Sequence, residues 1–90
     1  MHFIILGAGN VGYQLAKQLV DEDNNVTLIE KDAERAKQVS GLLDCLVIND
    51  VGNRLETLRK ADIAKADYFI AVTDSEEVNM IILTGAISKL

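Results

Sequence analysis

His2-Phe3-Ile4-Ile5-Leu6, followed at once by Gly7-Ala8-Gly9-Asn10-Val11-Gly12, is the stretch that decides the fold. A short apolar run that stops at glycine reads as a strand buried on both faces, as in a parallel sheet. Beyond the glycines, apolar positions fall at Val11, Leu15, Ala16 and Leu19, while Gln14, Lys17 and Gln18 take the other side. That is helical spacing. Gly-x-Gly-x-x-Gly is a weak signal alone and a stronger one between a buried strand and a helix. The three glycines do different things. Gly7 allows the tight turn, Gly9 lets a pyrophosphate approach the backbone closely, and Gly12 lets the helix pack close to the sheet. The amides of the turn and the positive end of the helix dipole favour an anion. Gly7, Ala8, Gly9, Asn10, Val11 and Gly12 are therefore the candidate phosphate-binding residues.

Reading outward, Val26-Thr27-Leu28-Ile29-Glu30 is a second strand that closes in an acid, eighteen residues past Gly12. A carboxylate at about this offset accepts hydrogen bonds from the ribose hydroxyls of an adenosine and repels a 2′-phosphate. Glu30 thus favours NAD(H) or an adenine nucleotide over NADP(H), and the neighbouring Lys31 softens that rejection. Asp32 is placed to cap a helix running through Ala33, Ala36, Val39 and Leu42 or Leu43. Cys45 to Ile48 reads as the third strand. Asp50, just beyond it, is either near the adenine end of a ligand or an acid that starts a turn. Leu55 to Lys60 reads as a short helix, and Asp67 to Val72 as the fourth strand. The stretch after it, with Asp74 and Glu77 at capping-box spacing, predicts a fourth helix carrying Val78, Ile81, Ile82, Ala86 and Leu90.

Strands alternating with helices require parallel pairing with helices on both faces. The expected class is α/β, a Rossmann-like doubly wound parallel sheet of strand order 3-2-1-4, ending after the fourth β-α unit. The order reverses beside the first strand, so a ligand belongs in the crevice there, with Thr73 facing the glycine turn.

Composition narrows the function. The chain has 90 residues, a formal net charge of −5, no proline and one cysteine. The charge argues against nucleic acid and anionic membrane surfaces as partners. No apolar run is long enough to span a bilayer, and the N-terminus does not read as a leader, so cytoplasmic location is the expectation. A lone Cys45 in an apolar run reads as a core residue, excluding a disulfide framework and a cysteine-rich metal site. His2 reads as an exposed flank of the first strand. Tyr13 and Lys17 are spaced like a dehydrogenase pair, but read as the solvent side of the first helix. No catalytic residue and no metal ligand is assigned.

Three stretches carry a resemblance: Ile5 to Gly12, Ile29-Glu30-Lys31-Asp32, and Ala66-Asp67-Tyr68-Phe69-Ile70-Ala71-Val72-Thr73-Asp74-Ser75-Glu76-Glu77-Val78-Asn79-Met80. The chain, over residues 1–90, resembles the N-terminal (TrkA-like, RCK/KTN) domain of Trk-type potassium uptake regulators. The resemblance implies a cytoplasmic, non-enzymatic regulatory module that binds NAD(H), ATP or ADP. It further implies a homodimer or higher homo-oligomer and a membrane potassium transporter or channel as partner. Onto this chain it carries Gly7, Gly9 and Gly12 at the phosphates, Glu30 at the ribose, Asp50 near the adenine and Thr73 near the crevice. Asn49-Asp50-Val51 departs from the Gly-Asp-Ala usual at this place. The family domain also runs on past residue 90, so the domain is expected to be incomplete at its C-terminus, with self-association through the fourth helix. The alternative is the cofactor-binding part of an NAD-dependent dehydrogenase.

Overall fold

A computed structural model describes residues 1–50, 55–72 and 78–83. The strands are β1 (His2–Leu6), β2 (Asn25–Glu30), β3 (Leu46–Asn49), β4 (Tyr68–Val72) and β5 (Val78–Leu83). The helices are α1 (Asn10–Asp21), α2 (Ala33–Leu42) and α3 (Leu55–Lys60), with a 3₁₀ turn at Ile63–Lys65. They form one sheet of order β3-β2-β1-β4-β5. The first four strands are parallel, in the 3-2-1-4 order that alternation of strands and helices requires.

Alternation along the central strands sorts the core into two layers. Ile4 and Ile29 face one side, with Phe69, Ala71, Ala61 and Ala66. Ile5 and Leu28 face the other, with Ala8, Ala16 and Val39. The first layer is closed by the α3–3₁₀ segment, and the second by α1 and α2. Ile4, Ile5, Leu28 and Ile29 are fully buried. Burying each contributes roughly 2 kcal/mol, an upper figure because the unfolded chain already buries some apolar surface. Against a typical total stability of about 5–15 kcal/mol, these four side chains on two strands account for much of what holds the sheet. Cys45 packs at the edge of the second layer, as its apolar surroundings suggest. Burial, and then Asp44, push its thiol above the usual range, which keeps it protonated and unreactive.

Helix ends follow local chemistry. The backbone reverses after α1 with Asp23 in the left-handed region (φ 65°), while the Asn24 side chain and backbone both donate to the Leu19 carbonyl. At the opposite end of the sheet from the glycine turn, His2 is half-buried: its ring nitrogen lies 3.1 Å from the Thr27 hydroxyl and its backbone N–H donates to Asp67. It is built into the sheet, a correction to its reading as an exposed flank.

One element corrects the sequence reading outright. Residues 78–83 form a strand, antiparallel to β4 with Tyr68 opposite Leu83 and a register shift at Ala71/Val72, where a fourth helix was expected. An apolar run such as Val78-Asn79-Met80-Ile81-Ile82-Leu83 fits a helical stripe and a strand equally well, so periodicity alone does not separate them. Backbone pairing decides. β1 covers one side of β4, and the amides and carbonyls along its other side are satisfied by β5. Thr73, and the capping pair Asp74 and Glu77, lie outside the described residues.

Candidate functional site

The C-terminal ends of β1 to β4 are level with one another. Leu6 is opposite Ile29 on one side and Ala71 on the other, and Glu30 is opposite Asn49. The glycine turn leaves β1 at this edge. Gly7 has φ 102°, a conformation only glycine adopts cheaply, and a Cβ there would lie 2.9 Å from the Val72 carbonyl oxygen. A Cβ on Gly12 would collide with the Gly7 carbonyl. The third glycine of the motif therefore lets the helix close onto its own turn as well as onto Ile5. Gly9 differs from both: among the described residues, nothing lies within 4 Å of where its Cβ would be. The local backbone does not need glycine there, and that side of the turn is open among the described residues.

Gly9 is also the N-cap of α1. It offers no side-chain cap, and the first turn carries no acid. The first amides of any helix lack intrahelical partners, and Gly9 and Asn10 are exposed. The Gly7 and Ala8 amides are taken by the Ile29 carbonyl and by Glu30, so it is the amides opening α1 that the turn brings to the sheet edge.

Glu30 is brought against this turn. The residue is only 8% exposed. Oε1 accepts from the Ala8 N–H at 2.8 Å, and Oε2 accepts from the Asp32 N–H at 2.8 Å. The acid pins the turn to the end of β2. A carboxylate offers about four lone-pair directions, so capacity remains for hydroxyl donors.

Sequence reasoning missed two contributors. Arg35, on α2, donates from Nε to the Ala8 carbonyl at 2.6 Å, and its guanidinium lies 5.9 Å from the Tyr13 ring centroid. A polar residue beside an apolar stripe carries no local sign of such a partner. Asn49 donates from Nδ2 to the carbonyls of Glu30 (2.9 Å) and Lys31 (3.1 Å). This departure from the usual glycine ties the end of β2 to β3. Asp50 sits alongside: its N–H donates to the Glu30 carbonyl, and its carboxylate accepts from the fully buried Thr57 hydroxyl at 2.9 Å. It ties the end of β3 to α3. Lys31 is exposed next to Glu30. Tyr13 is half-buried against the core and under Arg35, not on the solvent side of α1 as expected. Lys17 is exposed and pairs with Asp21 at 3.2 Å, so these two residues share no site.

A parallel sheet of this order, with a glycine turn entering a helix at its C-terminal edge, defines a Rossmann-like α/β domain. The chain belongs to the TrkA-N domain family, which matches residues 3–89. It is 43% identical over 81 residues to the Trk system potassium uptake protein TrkA of Halomonas elongata, covering 90% of this chain and 18% of that protein. It is also 43% identical over 89 residues to a TrkA homolog of Archaeoglobus fulgidus, covering 99% of this chain and 20% of that one. A TrkA homolog of Methanothermobacter thermautotrophicus is 38% identical over 81 residues, with 90% and 38% covered. The chain spans between about a fifth and two fifths of the length of these relatives. These relatives are named as potassium uptake proteins of the Trk system. No helix among the described residues is long and apolar enough to cross a membrane.

Proposed function

We propose that this domain senses an adenine nucleotide and so regulates a potassium uptake transporter or channel at the cytoplasmic face of the membrane. NAD(H) is the favoured ligand, with ATP or ADP as the other candidates. One observation carries the reading: the uncapped opening of α1, with space at Gly9, is joined through the Ala8 peptide to a buried Glu30 carboxylate. Amides suited to a diphosphate and an acceptor suited to a ribose thus stand on neighbouring atoms. Gly7, Ala8, Gly9, Asn10, Val11 and Gly12 take the phosphates in this reading. Glu30 takes the ribose, Lys31 and Asp50 flank the adenosine, and Thr73 belongs to the far side of the crevice. Hydride transfer needs a positioned acid or base, and nothing observed at the described part of the site supplies one, so we assign no catalysis.

Binding regulates only if it favours one of two conformations or assemblies, and a homodimer or larger ring acting on the transporter is the arrangement we infer. Isothermal titration with NADH, NAD, ATP and ADP tests the first half. At least one should bind saturably, and Glu30→Gln should weaken it; no heat with any of the four would overturn the reading. Light scattering with and without the preferred nucleotide tests the second half, a strict monomer in both states being the contrary result.

A further inference from the structure

The glycine turn contains no basic residue, yet a guanidinium is bound to it. The Ala8 peptide groups are gripped from two elements: the N–H by Glu30 at the end of β2, and the carbonyl by Arg35 on α2. Both side chains therefore stand at one residue of the turn, one on each of its peptide groups. Nε is spent on the Ala8 carbonyl, which leaves about four N–H donors on the two terminal nitrogens. Tyr13 lies under the guanidinium and fixes its plane. Arg35 is half-buried, so its charge is less screened than that of an exposed cation.

We propose that Arg35 is a specificity-determining residue of the nucleotide site, one that counters the rejection of a 2′-phosphate by Glu30. The proposal rests on the nucleotide-binding reading above. A dinucleotide whose ribose meets Glu30 places its 2′ substituent between a negative and a positive group. An uncharged hydroxyl is served by the carboxylate. A phosphate is repelled by the carboxylate and attracted by the guanidinium, so the two charges oppose one another. The preference for NADH over NADPH is accordingly smaller than Glu30 alone would set, and Arg35 holds it there.

The test is the ratio of NADH to NADPH affinity, measured on the ninety-residue chain by titration and by competition. Arg35→Ala should lose NADPH affinity about fivefold more than NADH affinity. Arg35→Lys keeps the charge and should hold the ratio within about twofold of the parent, even where both affinities fall. A clamp with only a structural role would lower both ligands equally in Arg35→Ala, and that result overturns the proposal. If Arg35→Ala does not fold, Arg35→Gln against Arg35→Lys makes the same comparison: a wider ratio in Gln alone supports it, equal ratios overturn it. Failure of the underlying reading looks different, since the parent chain would then bind neither dinucleotide and Gly9→Ala and Glu30→Gln would change nothing; the proposal would fall with it.

Discussion

Two helices start at the same edge of the sheet, and their first turns are built in opposite ways. α2 is closed: the Asp32 carboxylate accepts from the backbone N–H groups of Glu34 and Arg35, and Glu34 adds negative charge to the first turn. α1 is open: its N-cap is Gly9, with no capping side chain and no acid in the first turn. Capping by Ser, Thr, Asp or Asn is worth about 1 kcal/mol to a helix, so α1 forgoes stability that its neighbour has. The acid that α1 lacks comes from outside the helix, as Glu30 pinning Ala8. Under the proposed nucleotide-binding role, the contrast follows: α2 is capped by its own chain, and the α1 amides are left to be capped by the ligand.

Substitutions in the two turns should therefore separate stability from binding. Gly12→Ala should have the largest effect. Its Cβ collides with the rigid Gly7 carbonyl, and destabilisation by about 3 kcal/mol is expected in a urea melt; parent-like stability would mean the turn relaxes freely. Gly9→Ala should weaken the preferred nucleotide about tenfold or more, while stability changes by no more than about 0.5 kcal/mol, since the new methyl meets nothing in the free protein. An unchanged titration would break the contrast between the helices. Asp32→Ala should do the reverse. It should cost about 1 kcal/mol in thermal or chemical melts and leave affinity within about twofold, because the Asp32 N–H that holds Glu30 is retained. Gly41→Ala, in the last turn of α2 with open space around it, should stabilise by about 0.5 kcal/mol and leave binding untouched.

Much of this was legible in the chain because each signal was local. The glycine turn and the Asp32 cap act within a few residues of their own position, and the acid closing β2 stands where the spacing put it, although its grip on Ala8 reaches across the fold. Arg35, Asn49 and Tyr13 were not legible, since each acts on a partner distant in the chain: Arg35 on Ala8, Asn49 on Glu30, Tyr13 beneath Arg35. A polar side chain at a helix surface reads the same whether it meets water or a carbonyl brought there by another element.

Residues 78–83 show the limit most clearly. Their apolar pattern satisfied two periodicities, and a helix, which pairs its backbone within itself, was the local choice. In the folded chain β4 presents an edge whose amides and carbonyls need partners, and the segment pairs there instead. By itself the sequence determined the class of fold, the strand order and the turn, because hydrophobic period and glycine stereochemistry are properties of neighbours along the chain. Only the tertiary structure decided which backbone edge 78–83 would join and which side chains would grip Ala8, because hydrogen bonds between distant segments exist only once the sheet has brought those segments together.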